Sequence, residues 1–80
     1  MKILFDSHVY ETTSETANGN DIITVLSESG DHLDTITLDH EFEMALDSYG
    51  DVFANYYGLR DLSDEDRLRE VTQLVASGAY

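Results

Sequence analysis

Asp39, Glu43, Asp47 and Asp51 recur every four residues through the stretch LDHEFEMALDSYGD. On a helix this spacing stacks each carboxylate about 6 Å along the axis from the next, making a ridge of negative charge. Such a ridge suits charge-assisted hydrogen bonds from a basic surface, strongest where an arginine binds bidentately. It is also costly. Each like-charge pair at i, i+4 opposes the helix by about 0.2–0.5 kcal/mol, so three pairs oppose it by on the order of 1 kcal/mol. Only Asp39 gains from the helix N-terminus. A charge run is more often a solvated face, but no lysine follows Lys2, and further acids crowd SESGDHLD and DLSDEDRLRE. The mixture of signs that serves solubility is missing.

Other chemistry finds less support. His8, His32 and His40 lie near Asp31, Asp34 and Asp39, yet no H-E-x-x-H and no histidine pair at i, i+4 occurs, so no metal site is expected. The stretch DSYGDVFANYYG lacks the glycine at position six and the acid at position twelve of an EF-hand loop. Cysteine is absent, which removes thiolate ligands, thiol nucleophiles and disulfides. There is no G-x-S-x-G, phosphate loop or dinucleotide fingerprint. A general acid–base pair needs a cleft that shifts one pKa, and a chain this small buries only about 60% of its unfolded surface. Neither an enzyme nor a cofactor is expected.

The elements that must position the acids follow from periodicity. Residues 2 to 11, KILFDSHVYE, alternate as a strand with Ile3, Phe5 and Val9 on one face and Leu4, His8 and Tyr10 on the other. Asn18-Gly19 suits the φ > 0 positions of a hairpin turn, and DIITVLSE supplies the next strand. After Ser29-Gly30-Asp31, HLDTITL reads as a third strand with Ile36 and Leu38 in phase. From Asp39 the period becomes helical: Phe42, Leu46, Tyr49, Phe53 and Tyr56 form one apolar stripe, with Tyr56 assigned to the core. Gly50 leaves one bent helix or two open across residues 39–57, and Gly58 suits a position past the helix end. Ser63 and Asp66 resemble a cap for a final helix carrying Leu68, Val71, Leu74 and Val75 before Gly78. The expectation is one acidic α+β domain over residues 1–80, a three-stranded antiparallel meander packed against two helices.

Ten Asp and seven Glu against Lys2, Arg60, Arg67 and Arg69 give a net charge of −13. Nucleic acids and anionic membranes are repelled, and basic partners attracted. The run opening MKILFDSHVY is too short for a signal-peptide core or a membrane span, so a soluble, unprocessed chain is expected. A fold of this mass exposes roughly 4,900 Å², or one net charge per ~370 Å², whereas duplex DNA carries one per ~110 Å². Imitating DNA therefore requires the acids to gather on one side.

LDHEFEMALDSYGD and DLSDEDRLRE, in a small acidic chain without cofactor motifs, resemble the acidic single-domain inhibitors that phages use against host defence, including anti-CRISPR and antirestriction proteins. The likeness is of type and spans the whole chain; no motif matches residue by residue. It implies an acidic surface that occupies a basic nucleic-acid-binding groove, such as that of a CRISPR–Cas effector subunit, in the host cytoplasm and without chemistry. The expected partner-binding residues are Asp39, Glu43, Asp47 and Asp51, with Asp61, Asp64, Glu65 and Asp66 next. Tyr57 and Tyr80 are candidate aromatic anchors, and a monomer is expected. Two alternatives stay open: an acidic antitoxin or immunity-type protein for a basic partner, and halophilic adaptation in which acidity serves solubility alone.

Overall fold

The first apolar run is broken by two residues with left-handed backbone. Asp6 and Ser7, at φ of 51° and 67°, form the turn between β1 (Lys2–Phe5) and β2 (His8–Ala17). Positive φ at both central positions matches the twist of paired strands. The computed structural model, which describes residues 1–78, thus has two strands where the alternation of 2–11 predicts one. Ile3 stands opposite Tyr10 and Leu4 opposite Val9, so Val9 shares the face of Leu4 rather than of Ile3.

Asn18 and Gly19, at φ of 55° and 79°, turn β2 into β3 (Asn20–Leu26), as their types predict. The Ser27–Asp31 loop is closed by Ser27 N donating to Asp31 O at 2.8 Å and Gly30 N donating to Ser27 O at 2.9 Å. It leads into β4 (His32–Asp39).

The expected helix over 39–57 is absent. Here the chain forms β5 (Met44–Leu46) and β6 (Val52–Ala54), and becomes helical only in α1 (Tyr56–Arg60). All strands pair antiparallel in sequence order, giving a six-stranded meander rather than a three-stranded one. Two carboxylates make the new turns. Asp39 Oδ1 accepts from Glu41 N and Phe42 N at 3.0 and 3.1 Å, and Asp47 Oδ1 accepts from Tyr49 N and Asp51 N at 2.9 and 3.0 Å. Such side-chain bonds offer the backbone an alternative to a helix. The expected stripe comes apart with it: Phe42 and Tyr49 are 68% and 88% exposed, while Phe53 and Tyr56 are buried. Gly58 lies within α1, donating its N–H to the Asn55 cap.

The last helix forms as expected. In α2 (Asp64–Ser77), Ser63 Oγ accepts from Asp66 N, Asp64, Glu65 and Asp66 occupy the first turn, and Gly78 ends the helix in the left-handed region. Negative charge in the first turn complements the helix dipole. Arg67 fastens α1 to α2 by donating to the carbonyls of Leu59, Arg60 and Leu62 at 2.8, 2.8 and 3.1 Å.

Both helices cover the same face of the sheet. Ile23, Val25, Ile36 and Leu38 alternate into that face and pack with Ala45, Phe53, Tyr56, Leu59 and Val71. Thr12 and Thr72 join β2 to α2 through fully buried hydroxyls 2.6 Å apart. By the same alternation Leu4, Val9, Ile22, Thr24, Leu26, Thr37, Leu46 and Val52 point to the opposite face, which no element among the described residues covers.

Candidate functional site

A meander sorts its connections into two ends. The β2–β3 turn, the β4–β5 turn and the approach to α1 share one end, and the 3.9 Å approach of Arg67 to Asp21 places the start of α2 there too. The β1–β2 turn, the Ser27–Asp31 loop and the β5–β6 turn occupy the other. Asp39, Glu43, Asp61, Asp64, Glu65 and Asp66 are therefore brought to a common end. Asp47 and Asp51 fall at the opposite one, with β5 between them and Glu43, so that Glu43 and Asp47 stand roughly 13 Å apart along the strand. The four-residue spacing makes no ridge, and the repulsion expected of a helical ladder does not arise. Tyr80 lies outside the described residues.

A partly exposed polar chain ties the common end together. His40, in the β4–β5 turn, hydrogen-bonds through Nδ1 to the Tyr56 hydroxyl and through Nε2 to Asp21 Oδ2 at 2.8 Å. The carboxylate accepts only, so in the neutral ring Nε2 carries the proton and Nδ1 accepts from the phenol. Asp21 Oδ1 also accepts from Thr16 Oγ1 at 3.2 Å, and Arg67 stands 3.4 Å from Asp64. These partners are 16 and 19 residues from His40, so spacing gave no sign of them. The chain ends on a phenol that is 6% exposed, whereas the His40 and Asp21 side chains keep 35% and 24% of their surface in water.

The exposed part of the site centres on Tyr57, which is 47% exposed. Its hydroxyl is hydrogen-bonded to Glu43; that bond first, then desolvation, then the Glu43 charge hold the phenol above its ordinary value of 10.0, against the opposing charge of Arg60. Arg60 lies over the Tyr57 ring with Cζ 4.9 Å from the centroid and pairs with Asp61 at 2.9 Å. The bond to Asp61 raises the guanidinium further above its ordinary value. Glu43 and Asp61 thus meet the same tyrosine–arginine pair. Asp64 and Glu65 pair with Arg67 and Arg69 at 3.4 Å; exposed pairs of this kind add little stability.

Replacing Glu43 by glutamine is expected to lower the Tyr57 pKa toward the ordinary tyrosine value, followed by the NMR shift of its ring carbons. Because the folded value lies above the unfolded one, the contact stabilises fully below the unfolded pKa and is lost as pH rises through the folded pKa. An unchanged Tyr57 titration in the variant means that Glu43 does not hold the phenol.

Among the described residues, no group of three or more His, Asp or Glu converges as for a metal ion. No helix there is long and apolar enough to cross a membrane. A hollow of about 320 Å³ at the acidic end is lined in part by Glu15, Asp21, Asp64 and Arg67. Compared with known protein families, curated proteins and solved structures, the chain matches none.

Proposed function

We propose that the chain is a non-enzymatic inhibitor that presses its acidic end into the basic nucleic-acid-binding groove of a host defence complex, such as a CRISPR–Cas effector subunit. The observation that carries this reading is the gathering of Asp39, Glu43, Asp61, Asp64, Glu65 and Asp66 at one end of the sheet, where Glu43 and Asp61 flank the exposed Tyr57 and its neighbour Arg60. The surface of 4847 Å² holds on average one net charge per ~370 Å², about threefold sparser than duplex DNA. Arg60, Arg67 and Arg69 share this end, and Asp6, Glu28, Asp31, Asp47 and Asp51 stand at the other, so the charge is divided between the two ends. Tyr57 supplies an aromatic anchor of the kind that dominates interface centres. Binding of this type is fast and weakens with salt.

Two paired charge reversals test it, each titrated against a basic partner captured at low salt from a bacterial lysate. Glu43→Lys with Asp61→Lys alters the acidic end; Glu28→Lys with Asp51→Lys alters the other end by the same net charge. The first pair is expected to weaken binding more than tenfold and the second less than threefold, with duplex DNA competing for the partner. Equal losses from both pairs, or no competition by DNA, would remove the reading.

A further inference from the structure

Extension of the sheet by β5 and β6, where a covering helix is expected, leaves one broad face bare. From this face we infer that the chain forms a two-fold dimer by stacking the uncovered face of its sheet on that of a second copy. The middle of the face, made by Ile22, Thr24, Leu26, Thr35, Thr37 and Leu46, carries no charge in a chain of which 26% is charged. Its charged residues, Lys2, Glu11, Glu15 and Asp39, with the Met1 ammonium 3.4 Å from Glu11, belong to the β1–β2 side or to the last position of β4, and His32 adds a titratable ring bonded to the Thr35 hydroxyl at 2.7 Å. Charge depletion at the centre with polar residues around it is the anatomy of a protein interface.

Charge also selects the occupant. A basic partner is drawn to the carboxylates at the two ends, and nucleic acid or an anionic membrane is repelled by the whole molecule. The neutral face is where another strongly acidic copy meets the fewest carboxylates. Thr13, Thr24 and Thr35 align in one row across β2, β3 and β4. A hydroxyl both donates and accepts, so such a row can face its own image, as an isologous contact requires.

The area suffices. Each strand residue covers roughly 16 Å² of sheet, so the six strands present ~550 Å² per copy and ~1,100 Å² for a pair before side-chain relief is added. A biological interface needs about 1,000 Å² in total. Leu4 and Val52, 70% and 65% exposed at the two sides of the face, add apolar surface that the isolated chain leaves in water.

Sedimentation velocity of the intact chain decides it, run from about 5 to 200 µM in about 0.15 M and 1 M NaCl, since the higher salt shortens the screening length to ~3 Å. The dimer is expected to form with rising concentration, at least threefold more tightly in the higher salt. Thr24→Lys is expected to weaken association at least tenfold with an unchanged far-ultraviolet circular dichroism spectrum, while Thr24→Val retains the dimer. A monomer at the highest concentration in both salts overturns the inference, as does a folded Thr24→Lys chain that pairs like the original. Should Thr24→Lys fail to fold, the salt series and Val52→Lys decide in its place. The inhibitor reading predicts the opposite salt dependence, so either proposal can fail alone.

Discussion

Replacing Asp34 by alanine is expected to lower the melting temperature by roughly 12–24 °C, equivalent to about 3 kcal/mol in a domain of this size. The carboxylate is 3% exposed on the inner face of β4, where Oδ1 accepts from Thr35 N at 2.8 Å and from Ser48 N at 3.2 Å. The second bond crosses from β4 to the β5–β6 turn, beyond the paired stretch Thr37–Asp39. Alanine leaves two part-buried N–H donors without their acceptor, the costly kind of loss. Asparagine retains Oδ1 as a neutral acceptor and should lose less than half as much. A thermal scan with Asp34→Ala within about 5 °C of the original chain would show that this carboxylate does not pin the hairpin.

Thr72→Val is expected to cost about 2 kcal/mol, whereas the double variant Thr12→Val with Thr72→Val should cost much less. The Thr72 hydroxyl donates to Leu68 O at 2.7 Å, so within the buried pair its oxygen accepts from Thr12. Removing Thr72 alone strands the Thr12 donor between β2 and α2. Removing both leaves two methyl groups of similar shape in contact. Denaturant unfolding of the two single variants and the double gives the coupling directly. Additive losses would mean that the hydroxyls do not depend on each other.

The sequence was most legible where one local device decides the structure. Asn18-Gly19 and Gly78 tolerate a left-handed backbone that most residues avoid, Ser63 supplies a capping oxygen, and the turn and helix they imply are present. The 39–57 segment misleads because two periods coincide. Ala45 and Phe53, successive core residues of the β5–β6 hairpin, are eight residues apart, close to the ~7 of two helical turns. Apolar spacing alone cannot separate the two. Composition carried the missing signal: Asp39, Asp47, Gly50 and Asn55 are turn and cap formers. Asp6-Ser7 escapes notice for another reason, since neither is the glycine or asparagine usual at a left-handed position.

At the candidate site, local reading singled out the α2 acids and Tyr57 but not the approach of Glu43 to Tyr57. That approach depends on which loops share an end, hence on the number of strands between them. An even or odd strand count moves every later connection to the other end, so the misread segment also misplaced Asp47 and Asp51 relative to Glu43.

Both outermost strands are short, β1 with four residues and β6 with three. Chains join margin to margin by adding hydrogen-bonded strands, and long exposed margins template fibrils. Here each rim offers only a brief row of unpaired backbone groups, with Lys2 on one and a register irregularity beside the other. Sideways growth into filaments is disfavoured by the fold itself, which lets a concentrated solution thicken without seeding amyloid.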